Sequence, residues 1–139
     1  MTLTDAEKAL VLSLWEKIAP KAETLGAEAM DRLLKLYPDT AAYFSKFDLT
    51  TNSPDMLAHG GKIMNALGDA IKNYDTMKDS MASLTDQHVN KIAVDPNYYK
   101  LMSHCIQIVL AVHFPTEFTT LMNCAWNDFL GAVSGILSG

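Results

Sequence analysis

Apolar residues return every three to four positions along this chain, stretch after stretch, and prolines cut the stretches apart. Val11, Leu14, Trp15 and Ile18 follow the i, i+3, i+4, i+7 spacing of an amphipathic helix. Thr4 is placed to cap it, Glu7 to complete a capping box, and Leu3 to act as a staple. Pro20 ends or redirects this helix, and a second pattern through Met30, Leu33, Leu34 and Tyr37 stops at Pro38. Tyr43, Phe44 and Phe47 then sit among polar turn residues, as in a short helix or corner. From Met56 the period resumes with His59, Ile63, Ala66, Leu67 and Ala70. A weaker helix is expected over 76–90. Asp95 as cap and Pro96 at the first helical position open another through Leu101, Cys105 and Val109 to Phe114-Pro115. Thr116 can cap the last, which carries Met122, Trp126, Phe129, Leu130 and Val133. No alternating strand-length run competes, so the fold class is all-α with six to eight helices.

At 139 residues and 49% hydrophobic content, one domain with a sizeable core is expected. A net charge of −5 without a Lys/Arg block argues against nucleic acid as a partner. Charged Asp5, Glu7 and Lys8 precede any long apolar run, so neither a secretory leader nor a membrane partner is readable, and a cytoplasmic location follows by default. Cys105 and Cys124 have no C-x-x-C or metal-finger spacing and read as two buried free thiols.

The four histidines carry more. His104 and His113 are nine residues apart on one helix, nearly opposite in azimuth, and cannot chelate together; they read as interface or surface groups. His59 and His88 lie on two different helices, each on the apolar face. Two inward imidazoles need a partner, since a buried unsatisfied polar group costs about 1–3 kcal/mol. A flat metal-containing ligand between the helices would serve both. H-E-x-x-H is absent and no acidic or thiol group completes a zinc set. Haem iron needs only one axial nitrogen from the protein and leaves its sixth position for a small ligand, which suits one histidine on each side.

Read together, "LW" in the first helix, Tyr37-Pro38, "YFSKFDL" at 43–49, "AHGGK" at 58–62, "QHVNKIAVDP" at 87–96, "LMSHC" at 101–105, "FPTEFT" at 114–119 and "FLGAVSGIL" at 129–137 resemble the vertebrate globins. The likeness is to an α-type haemoglobin chain, of embryonic-like or ancestral kind. It implies a single globin domain over 1–139, folded around a haem pocket. The short step from Phe44 to His59 is similar to α-type chains, which lack a small helix there. The cofactor implied is haem b, with His88 as the proximal iron ligand, His59 as the distal residue facing bound gas and Ile63 as an aliphatic gate beside it. Phe44 looks like the ring stacked on the porphyrin. Leu84, Ile92, Val94, Tyr99, Met102 and Leu137 match positions lining the pocket, with Tyr43 and Lys62 also against the cofactor. Lys46 stands where a histidine often contacts a haem propionate, and its ammonium suits that carboxylate.

The implied function is reversible dioxygen transport by ferrous haem, not enzymatic turnover. The alternative is a haem enzyme such as a nitric oxide dioxygenase or nitrite reductase; a peroxidase would want an Arg near the distal His, and that helix has none. The implied partners are dioxygen and other diatomic gases, and a second globin chain, either identical or β-type, with a red-cell cytosol as location. Arg32, His104, Pro115 and Phe118 match the tighter dimer interface. Against the pattern of tetrameric α chains, Asn127 stands for an Asp, Asp128 and Ala41 each for a Lys, and the sequence stops at Gly139 before their Lys-Tyr-Arg. These differences fall on the sliding interface of the quaternary switch, for which haemoglobin is the standard worked example. They predict a dimer more readily than a cooperative tetramer.

Overall fold

A computed structural model describes residues 2–87 and 94–138, and the α-helices within them number seven. Helix α1 spans Asp5–Ile18 and begins as its sequence dictates. Thr4 Oγ1 accepts the Glu7 N–H at 3.1 Å, and Glu7 Oε1 accepts the Thr4 N–H at 3.0 Å. Leu3 is buried, and its own N–H donates to the Tyr74 hydroxyl at 2.9 Å. Pro20 turns the chain through a single 3-10 turn, Ala19–Lys21, into α2, Ala22–Leu36. After Tyr37 the chain tightens into 3-10 geometry over Pro38–Phe44. No helix forms between Phe44 and Pro54, in keeping with the α-type likeness.

Helix α3, Pro54–Lys72, starts two residues before the apolar period becomes visible, because Ser53 caps it by accepting the Met56 N–H at 3.1 Å. The weaker helix expected over 76–90 is instead broken. A 3-10 turn, Tyr74–Thr76, leads to α4, Met77–Ser80, and then α5, Ala82–Asp86. At Met81 the backbone leaves helical geometry, with ψ at 5°, and just before it Ser80 Oγ donates back to the Met77 carbonyl at 3.2 Å. Such local side-chain bonds compete with helix continuation in a polar run. The stretch expected for 88–90 lies outside the described residues.

Two further caps differ from expectation. Helix α6 runs Asn97–His113 with Pro96, not Asp95, in the cap position; Asp95 still serves the helix start, its Oδ1 accepting the Asn97 N–H at 2.9 Å. Helix α7 is Thr120–Leu137, and Thr119 caps it by accepting the Met122 N–H at 3.3 Å. Thr116 falls instead in the turn closed by the Phe118 N–H to Phe114 carbonyl bond at 2.8 Å. Only one thiol is buried as expected: Cys105 is in the core, where burial pushes its pKa up, whereas Cys124 is exposed on α7.

The core unites all the long helices. Val11, Leu14 and Ile18 of α1 are fully enclosed, as are Leu25, Met30 and Leu33 of α2. Trp126 and Phe129 of α7 meet edge to face at 5.6 Å. The crossing of α2 over α3 is closest at Gly26 and Gly60, where a Cβ on either would lie under 2.5 Å from backbone atoms of the other helix. This backbone contact fixes where α3 passes over the core, and with it the position of His59 one residue away.

Glu7 and Asp128 share a carboxyl hydrogen bond between α1 and α7. It lowers the pKa of Glu7 and raises that of Asp128. The raised group contributes stability at low pH that is lost as pH rises through its folded pKa, when both groups ionise side by side. Asp128→Asn keeps a donor toward Glu7 without the second charge. The variant should therefore gain on the natural sequence in thermal midpoint as pH climbs through the carboxylate range; a constant difference would show the pair to be inert.

Candidate functional site

A cavity of about 400 Å³ opens between α3, α5, α6 and α7, closed on one side by the aromatic corner at 43–47. Interiors normally pack to leave few voids larger than a water molecule. A concave space of this size with a mostly apolar lining and a few polar groups has the make-up of a ligand site.

Each wall has a sequence cause. The loop before α3 is tied down by the Ser53 hydroxyl donating to the Asp48 carbonyl at 2.6 Å and the Asp48 N–H donating to Asp55 Oδ2 at 2.8 Å. Asn52 takes a left-handed turn there, φ 59°, which Asn tolerates better than most residues. So anchored, α3 directs half-buried His59 against two rings, edge to face at 5.3 Å from Phe44 and 5.2 Å from Phe47. Ile63 and Lys62, one turn on, complete this wall.

Opposite it, α6 presents Tyr99 and Met102, while Val94 sits just before that helix. Tyr43 bridges the two sides: its ring lies 5.2 Å from that of Tyr98, and its hydroxyl accepts the Asp95 N–H at 2.9 Å. Burial, and then the neighbouring Tyr43, push the Tyr99 pKa up to about 12; burial also raises that of Tyr98. Both hydroxyls are neutral at physiological pH. Leu84 of α5 and Leu137 of α7 close the floor, held together by the Thr85 hydroxyl donating to the Ile136 carbonyl at 3.0 Å.

Tyr43, Phe44, His59, Lys62 and Ile63 thus line one cavity together with Leu84, Val94, Tyr99, Met102 and Leu137. Lys46 is exposed and stands apart from the lining. His88 and Ile92 lie outside the described residues. The cavity also takes in Met81, Gln87, Tyr98, Ser103, Ile106 and Ser134, which the sequence reading did not single out. For Ile106 and Ser134 the signal was there: they follow Met102 and precede Leu137 by one helical turn. Leu67, Leu130 and Val133 also line it, and the sequence reading had them only as apolar helix positions.

Of the residues expected at an interface, His104 and Phe118 line one surface groove of about 560 Å³ between α6 and α7. Pro115 is exposed. Arg32 is half-buried beside Glu28, at 3.8 Å, and the same carboxylate meets His113 Nε2 at 3.1 Å, pinning the end of α6 to α2. Leu36, Val112 and Leu121 leave large apolar side chains 57%, 57% and 73% exposed. No helix among the described residues is long and apolar enough to cross a membrane.

An all-helical domain folded over an apolar, histidine-edged cavity defines a class, and sequence comparison agrees: the family model for Globin matches residues 27–137. The chain belongs to the globin family. Over 138 residues it is 49% identical to hemoglobin subunit alpha-3 of Xenopus laevis, covering 99% of this chain and 97% of that protein. It is 46% identical to the hemoglobin larval subunit alpha of Pleurodeles waltl and 41% to hemoglobin subunit zeta of Capra hircus, at the same coverage. These likenesses make it an α-type vertebrate globin.

Proposed function

We propose that this chain is a single globin domain over 1–139 that binds haem b in the apolar cavity and carries dioxygen reversibly. The carrying observation is that cavity: a large space edged, among the described residues, by His59, with apolar side chains and neutral hydroxyls for most of its wall. Such a donor set suits a flat apolar ring and does not suit a free metal ion. Haem held through His88 would supply a ferrous centre with one position open to gas.

The chain's own residues do the rest. His59 can donate a hydrogen bond to dioxygen seated in the cavity, while its ring is held by Phe44 and Phe47. Ile63 limits the space beside it. Leu84, Met102 and Leu137 line the cavity with apolar groups that exclude water, which would slow oxidation of a ferrous haem held there. Among the described residues, Lys62 is the cation in the cavity lining that could meet a haem carboxylate; Lys46, on the exposed corner, can serve only from outside the cavity.

His59→Leu removes the donor but keeps the volume. A hydrogen bond to a partly charged acceptor is worth about 1.5–3 kcal/mol, so dioxygen affinity should fall about ten- to a hundredfold while carbon monoxide affinity changes much less. Oxygen and carbon monoxide binding curves on the haem-loaded variant check this, and equal losses for both gases would overturn the role given to His59.

The carrier reading is favoured over the enzymatic one because the single arginine of the chain, Arg32, lies on α2 beside Glu28, away from the cavity. Haem peroxidase chemistry gains from a strong cation near the reacting oxygens. The apolar surface of Leu36, Val112 and Leu121, with Arg32, His104, Pro115 and Phe118, is where a second globin chain would dock, either a copy of this chain or a β-type one. A red-cell cytosol is the corresponding location. Native mass spectrometry with haem retained reads cofactor and assembly together.

A further inference from the structure

The cavity and a larger groove on the surface of the protein share a wall. The groove, about 930 Å³, runs along α6 and α7 beside the turn at Tyr74. Tyr99 and Ser103 of α6 and Ser134 of α7 line both spaces. Since the same residues border both, a single layer of residues separates the two spaces there.

Its composition makes it a weak partition. Elsewhere the cavity is backed by close-packed apolar groups such as Leu67, Ile106 and Val133, all buried. Here, two half-buried serines occupy positions where a packed seam would carry larger side chains. On the groove side, α7 has glycine at 131 and 135, where an added Cβ finds nothing within 4 Å. Hydroxymethyl groups with free space beside them exchange rotamers in picoseconds to nanoseconds, without backbone motion. Beside the seam, the Thr85 hydroxyl bond to the Ile136 carbonyl ties α7 to α5.

We infer that the seam formed by Tyr99, Ser103 and Ser134 is a portal through which small uncharged molecules, of the size of a diatomic gas, pass between the groove and the cavity. This rests on the gas-binding reading above. The portal selects by charge. Lys78, Lys100, His104, Asp75 and Asp128 all stand on the groove, but the seam offers an ion only neutral hydroxyls, and moving an ion past them strips its water at a cost of several kcal/mol.

Two obstructions test it from opposite sides. Ser134→Leu fills the seam itself, and Gly135→Leu fills the groove where the added Cβ has open space, so the second variant remains informative if the first folds poorly. On haem-loaded protein, bimolecular carbon monoxide recombination after a light flash should slow about twofold or more, because association falls when an entry path is obstructed. Xenon exchange followed by ¹²⁹Xe NMR should slow alongside it, and Ser134→Ala should be as fast as the natural sequence or faster. Unchanged recombination and xenon exchange in the folded Gly135→Leu protein would overturn the portal and leave the gas-carrier reading intact. A protein that takes up no haem but whose xenon exchange falls with both obstructions would refute the carrier reading and keep the portal.

Discussion

Gly60→Ala is expected to destabilise the protein by about 3 kcal/mol or more, the upper range of overpacking effects. The new methyl carbon would lie 2.3 Å from the Ala27 nitrogen and 2.5 Å from the Gly26 carbonyl carbon. Both are backbone atoms of α2, which no side-chain rotation can move aside. To accept the methyl group, α2 and α3 must separate, and every core contact between them loosens. The disturbance reaches function too, because His59 is the next residue on α3. Urea unfolding monitored at Trp15 and Trp126 measures the loss; a midpoint within error of the natural sequence would mean that the helices do not touch as described. Gly135→Ala is the matched comparison. It meets nothing within 4 Å, lies within α7, and should stabilise by about 0.5–1 kcal/mol through helix propensity alone.

Loss of haem retention is the second large effect, expected for His88→Gly under the proposed function. Removing an outer partner of a metal ligand commonly lowers affinity about 10–100-fold, and removing the residue that would hold the haem should exceed that. The purified variant should lack the strong visible absorption of the loaded protein, or lose it on gel filtration. His104→Gly, on the exposed face of α6, should keep its pigment. Equal pigment in both variants would remove His88 from its role and the carrier reading with it.

How much of this was legible beforehand varied with the physics involved. The capping box at Thr4 and Glu7 was readable because its partners are three residues apart. The breaks at Pro20 and Pro38 were readable because a proline removes a donor wherever it stands. Thr116 was a miss of three residues, since Thr119 has the same chemistry and only the turn back to Phe114 decides between them. The break at Met81 was missed because the competing bond belongs to Ser80, a residue that helices also tolerate.

By itself the sequence determined the helical class, most helix limits and the family, since local periodicity, caps and colinear motifs need no knowledge of what lies across the core. The colinear likeness to α-type globins also marked ten of the cavity residues, position by position, where helical spacing alone marked apolar faces and not a shared cavity. Only the tertiary structure decided the rest: that Gly26 meets Gly60, that Cys124 is exposed, that Lys46 stands off the cavity, and that one thin seam of Tyr99, Ser103 and Ser134 divides cavity from groove. These depend on how far apart two helices settle, which is fixed by volumes contributed from distant parts of the chain and leaves no pattern in either segment alone.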